Sequence, residues 1–297
     1  MNFTRMFFAV CFAASFSMNA DARELISESF ESADMSLSSP EGFTWEDNNR
    51  TSVVFGDGTR NVAVWNNGPR NNEVDRDWQA WDGDHSLRFI FPAGENWSEQ
   101  RYNLGTPQTD IWYSYYIRVP LNYYHCDNCA RANNKFFAVW MDGYETSGDG
   151  STFWMNMLSG GNGNSDIALS YSQGGNTNSG GFQQQRRFIT VPQDRGRWME
   201  IVVHLTTESS DGANDGVIEV WRRWTSESDF TQLHSLSNAG LRIPDNGPRG
   251  FIRGYFLGWA NGPYSEDTEW LIDNITISTS SLLETGPKPN PPVISAQ

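Results

Sequence analysis

An antiparallel two-sheet β-sandwich is the fold this sequence predicts, and three observations predict it. Short runs with period-2 alternation or dense apolar character recur along the chain, turn chemistry separates them, and no segment holds a helical period over three turns. The spacing of strands and Gly/Asn turns favours an all-β jelly roll over a helical or α/β fold.

Taken in order, the predicted strands are Ser86–Phe91, Ile111–Val119, Lys135–Met141, Phe153–Leu158, Ile167–Tyr171, Trp198–Leu205, Val217–Trp224, Tyr255–Trp259 and Trp270–Ser278. Between them lie Gly160-Gly161-Asn162-Gly163-Asn164, Gly174-Gly175-Asn176, Ser179-Gly180-Gly181 and Asp211-Gly212-Ala213-Asn214-Asp215-Gly216, whose residues tolerate positive φ. Along Ile111–Val119, the residues Ile111, Tyr113, Tyr115, Ile117 and Val119 share one face, while Trp112, Ser114, Tyr116 and Arg118 share the other. The second face is polar and aromatic, a composition suited to a carbohydrate groove. Ile201, Val203 and Leu205 likewise set a dry face against Glu200, Val202 and His204.

The 297 residues carry a formal net charge of −15, and lysine occurs only at Lys135 and Lys288. An acidic surface repels phosphate and anionic headgroups, so no nucleic acid and no membrane is expected as a partner. Thirteen tryptophans supply apolar area that a disordered chain lacks. Arg5, the apolar run Met6–Phe16 and the small-x-small Ala20-Asp21-Ala22 read as a signal peptide over residues 1–22. The expectation is therefore a secreted or periplasmic monomer, with one sandwich domain over 23–284 and a Pro-rich tail or linker over 285–297. Cys126 and Cys129 then meet an oxidising compartment, where a short-loop disulfide is the plain reading; a free or metal-linked pair is the alternative.

Several segments resemble the concanavalin A-like jelly-roll polysaccharide lyases, the superfamily that includes alginate, glucuronan and heparin lyases. Glu99-Gln100-Arg101-Tyr102-Asn103-Leu104, followed by Trp112-Tyr113-Ser114-Tyr115-Tyr116-Ile117-Arg118-Val119-Pro120, is similar to their paired strands. Asn133 to Trp140, Gly196 to His204, Gly216 to Trp221 and Trp270 to Ile275 resemble the strands that follow. Asn103 stands where the lyase pattern prefers Glu, and the Gln-x-His strand of the alginate enzymes has no counterpart, so the resemblance assigns no exact family. What it implies is cleavage of a uronic-acid-containing glycan by β-elimination, with a non-catalytic lectin-like carbohydrate-binding module or a glycoside hydrolase as alternatives on the same fold.

Such a lyase must neutralise the sugar carboxylate, remove the C5 proton and protonate the leaving oxygen. Arg101 and Lys135 suit the first task; each has a bland alternative, an ion pair with Glu99 and a solvated strand-start charge. His125, beside the cysteine loop, is the first choice of base, with Tyr116 and Tyr255 as alternatives. His204 reads as structural. Arg118, Asn134 and Arg253 would add polar contacts, and Trp140, Trp154 and Trp259 would stack sugar rings or simply pack the core. A hydrolase would instead need a carboxylate pair, for which Glu145, Glu200, Glu219 and Glu269 are available. No cofactor is required for the chemistry. Sandwiches of the kind this chain resembles imply a structural calcium, here through Asp273 with Glu28 or Glu31; the alternative is that Asp273 caps a turn or accepts backbone hydrogens.

Overall fold

The computed structural model describes residues 23–65, 76–127, 133–144, 148–174 and 181–283. The expected signal segment over residues 1–22, Cys129, Glu145 and the chain from 284 onward lie outside these residues. Strands β1 (Glu24–Glu28), β2 (Thr44–Asn49), β3 (Thr51–Gly56), β4 (Asn61–Ala63), β5 (His85–Phe91), β6 (Trp97–Gln108), β7 (Asp110–Arg118) and β8 (Asn133–Trp140) form the first half of the chain. The second half holds β9 (Thr152–Gly161), β10 (Asn164–Tyr171), β11 (Gln183–Ile189), β12 (Trp198–Thr206), β13 (Gly216–Trp224), β14 (Thr231–Ala239), β15 (Phe251–Trp259) and β16 (Thr268–Ser278). Every predicted strand is present, and among the described residues there is no helix. Strands β1 to β4, β6, β11 and β14 are not among the predicted runs, although the segment of β6 enters through the resemblance; β1 and β4 are short, and β2, β11 and β14 are polar or exposed.

All pairings are antiparallel, in two sheets. The front sheet runs β11-β10-β9-β8-β15-β6-β2, and the back sheet β14-β13-β12-β7-β16-β5-β3-β4 with β1 added on β16. The alternation in β7 orients the sandwich as expected: Ile111, Tyr113, Tyr115 and Ile117 are fully buried between the sheets. Tyr115 packs edge-on against Phe256 of β15 at 5.1 Å, and Tyr113 against Phe137 of β8 at 5.1 Å. Such aromatic pairs add directional contacts to their large apolar burial. Ile201, Val203 and Leu205 point into the same core.

Strand β8 breaks the period-2 rule where it matters most. A bulge between Lys135 and Phe137 lets both Phe136 and Phe137 enter the core, and the phase flips beyond it. Lys135, Ala138 and Trp140 consequently share the outer face of the front sheet despite their mixed parity.

Candidate active site

Antiparallel register places facing residues on one side of a sheet, so the outer front face can be read row by row. Arg101 of β6 faces Tyr255 of β15, which faces Ala138 of β8, which faces Trp154 of β9. One row away, Asn103, Arg253 and Trp140 are partners. Lys135 pairs with Asn156 on the other side. Ala138, Trp140, Trp154 and Tyr255 form an apolar patch separate from the main core, and Tyr144 of the β8–β9 connection packs on it. Tyr144 is the central residue that sequence reasoning missed. Its only signal was a lone aromatic in a Gly/Asp-rich turn directly after an aromatic strand.

Around Tyr144 the polar groups converge. Lys135 Nζ donates to Tyr144 Oη at 2.6 Å, and Tyr144 Oη lies 3.1 Å from Tyr255 Oη. Arg101 lies 5.8 Å from the Tyr144 ring centroid and 5.7 Å from that of Trp140, within cation–π range of both. Its Nε donates to Glu99 Oε1 at 2.6 Å. Burial works against the Arg101 charge, but the bond and charge of Glu99 outweigh it and hold the guanidinium above its ordinary range. The ion pair expected as Arg101's bland alternative thus exists inside the site itself. Gly258 explains how closely these groups approach: a Cβ there would lie 3.1 Å from the Tyr255 ring, 3.2 Å from Glu99 Oε2 and 3.4 Å from Lys135 Cβ, at a φ of +158° that side chains rarely adopt.

An open cleft runs over this cluster. One lobe, about 620 Å³, is lined by Glu46, Asp47, Arg101, Trp140, Asp142, Gly143, Tyr144 and Arg253. The adjoining lobe, about 580 Å³, shares Glu46, Asp47 and Arg101 and adds Asn48, Asn49, Trp97 and Glu99. Arg253 Nε is 3.4 Å from Glu46. Trp259 and Trp97 face each other across β15 and β6 and are exposed at the end of the sheet. Of the residues singled out in the sequence, Arg101, Lys135, Tyr255, Arg253, Trp140, Trp154 and Trp259 are therefore gathered on one face.

The others are not. Tyr116 and Arg118 belong to the outer face of the back sheet, because β7 lies in that sheet. Tyr116 donates to Glu200 Oε2 at 3.1 Å and stacks on Trp81, and its phenol is pushed up by burial and by the Glu200 charge. Arg118 binds Asp77 at 2.7 Å. His125 is fully buried, with Nδ1 3.3 Å from Tyr123 Oη, and lines neither lobe. A groove-rim base at that position is ruled out by its burial. Asn134 is buried and clamps the backbone of Gly262 from both its amide atoms. His204 bridges Asp110 and Glu219 on the back sheet; burial opposes its protonation but the two carboxylates raise it above the ordinary histidine value.

The residues expected to hold calcium make hydrogen bonds within the protein. Asp273 Oδ2 accepts from the backbone of Trp81 and Asp82, and Oδ1 from that of Asn274, while burial pushes the carboxyl well up. Glu28 Oε1 accepts from Phe30 N at 2.8 Å, and Glu31 binds His85. Among the described residues no three His, Cys, Asp or Glu side chains are grouped to hold a metal. Glu200, Glu219 and Glu269 lie on the back sheet, away from the cleft.

Fold and site together define a jelly-roll β-sandwich whose front sheet carries an open polar-aromatic cleft. Among solved structures, a marine PL-14 alginate lyase from Aplysia kurodai is similar at 11% identity and a TM-score of 0.50, over 86% of this chain and 99% of that one. An alginate lyase mutant in complex with alginate tetrasaccharide is similar at 14% identity and a TM-score of 0.47, over 65% and 80% of the two chains. The cellulose-induced protein Cip1 is similar at 16% identity and 0.43, over 86% and 97%. At these identities the likeness is one of fold. No protein-family model and no curated protein sequence matches the chain.

Proposed function

We propose that this protein is a polysaccharide lyase that cleaves a uronate-containing glycan by β-elimination at the Tyr144 cluster. The observation that carries this reading is the 2.6 Å contact of Lys135 Nζ with Tyr144 Oη beside Arg101 on the cleft floor. An ammonium within hydrogen-bond reach favours the ionised form of a phenol. In the proposed step, the Tyr144 phenolate takes the C5 proton and the C–H electron pair becomes the C4–C5 double bond. The C4–O4 bond breaks, and the same phenol returns its proton to the leaving oxygen. Arg101 and Lys135 face the sugar carboxylate, where charge accumulates as C5 loses its proton, and such preorganised donors act most strongly in the transition state. Tyr255, fully buried beneath Tyr144, is a positioning residue in this scheme.

Glu46, Asp47 and Asp142, which share the same lobe, favour glycoside hydrolysis as a second reading. The two separate on one assay. Incubation with glucuronan, alginate, pectate and heparan should raise ultraviolet absorbance from unsaturated uronate ends; new reducing ends without that absorbance would replace the lyase by a hydrolase, and retention without product would leave a lectin. Export by the signal segment, calcium and a Cys126–Cys129 bridge belong to the same proposal. The first is read by the N-terminus of the exported protein, and the second by elemental analysis.

A further inference from the structure

We infer that the glycan is mixed, presenting a neutral sugar next to the uronate, and that the Trp97 lobe of the cleft is the neutral subsite. This rests on the carbohydrate-cleft reading above but not on its chemistry.

The lobe is lined by Glu46, Asp47, Asn48, Asn49, Trp97, Glu99 and Arg101, which is three carboxylates to one guanidinium. That guanidinium is held through Nε by Glu99 at 2.6 Å and is shared with the neighbouring lobe, so one cation serves both lobes and leaves none over for a second carboxylate. In the neighbouring lobe Arg253 is likewise bound, by Glu46 at 3.4 Å. A second uronate placed here would meet unfavourable charge at short range, in a chain whose formal net charge is −15. Carboxylates and amides are instead good partners for sugar hydroxyls, since a carboxylate accepts from two donors and an amide both donates and accepts. The apolar half of the subsite is also present. Trp97 and Trp259 are 37% and 41% exposed, with ring centroids 6.2 Å apart and planes inclined by 42°. Exposed indoles side by side offer the C–H face of a pyranose a place to stack. The polar part of the lobe and the indole pair are contiguous through Trp97 itself. The uronate position, by contrast, falls at Lys135, Tyr144 and Arg101.

Binding is measured by indole fluorescence with three probes: a glucuronate tetramer, a tetrasaccharide alternating glucuronate with rhamnose, and the neutral cellotetraose. Turnover is followed in parallel by ultraviolet absorbance. The alternating probe should bind at least about tenfold tighter than the homouronate. Trp97→Ala with Trp259→Ala should remove that preference. Glu46→Gln with Asp47→Asn should raise affinity for the glucuronate tetramer about tenfold at low salt, and leave little of the gain at high salt. Equal or tighter binding of the glucuronate tetramer, insensitive to the carboxylate changes, would overturn the inference whether or not the protein is a lyase. No absorbance with any probe but an intact preference for the alternating one would remove the lyase and keep the subsite.

Discussion

The outer faces of the two sheets are built from the same kinds of residues and do opposite things. On the back sheet, Ser114, Tyr116 and Arg223 all bind the buried Glu200, the Arg223 contact being 2.6 Å. The segment that leads into β5 roofs this face: Trp81 stacks on Tyr116, Trp78 donates to Glu269, and Asp273 anchors the backbone of Trp81 and Asp82. On the front sheet, Arg101–Glu99 and Lys135–Tyr144 form a comparable set of charged and phenolic groups, yet a cleft opens over them. A polar-aromatic face thus closes into a scaffold where chain covers it and stays an open cleft where solvent does. Closed networks of this sort are costly to break, whereas open ones can exchange a partner for substrate.

The comparison can be broken from either side. The largest effect should come from the back sheet: Glu200→Ala leaves the Arg223 guanidinium buried and unpaired, at a cost of about 3–5 kcal/mol. Denaturant midpoints would show it, and turnover per folded molecule should hardly change. On the front sheet the pattern should invert. Tyr144→Phe and Lys135→Met should each keep the melting temperature within a few degrees and lose about 10²–10³ in turnover. A stability loss at Lys135 with turnover preserved would make the front network a second scaffold.

Arg101 tests both properties at once. Its partner Glu99 is buried, so Arg101→Ala should cost about 3 kcal/mol in stability as well as activity. Adding Glu99→Gln removes the stranded charge; the double variant should regain stability but not turnover.

An effect of similar size, confined to low pH, is expected outside both faces, at His234 of β14. Burial and then the nearby Arg186 depress it from 6.5 to about 4. The unfolded chain therefore binds this proton between pH 6.5 and 4 while the folded chain does not, and stability falls as pH falls through that window by about 3 kcal/mol. Above pH 6.5 the contribution is complete. His234→Leu should flatten that part of the stability profile, and an unchanged slope would move the acid sensitivity to the carboxylates. The smallest effect should be that of reducing a Cys126–Cys129 bridge, about 2 kcal/mol for so short a loop. Thiol titration of the unreduced protein checks the bridge itself.

The sequence by itself determined the architecture. Alternation in Ile111–Ile117 and Ile201–Leu205 named the inward faces correctly, because a strand with one dry face has only one way to bury it. It also singled out Arg101, Lys135, Tyr255, Trp140 and Arg253, which the fold gathers on one face. What alternation could not say was which sheet a polar-aromatic face would join, or what would cover it. Tyr116 and Arg118 read as well for a groove as Arg101 did, and only the long-range stacking of Trp81 on Tyr116 and pairing of Asp77 with Arg118 engage them in the scaffold. Two further matters were tertiary. The bulge that brings Lys135 into phase with Trp140 arises from pairing with β9, and Tyr144 reaches Lys135 from a turn whose local sequence carries no strand signal. Local pattern fixes which side of a strand is dry, since that follows from its own residues; the meeting of side chains from separate strands and turns depends on register and loop path, which only the folded whole decides.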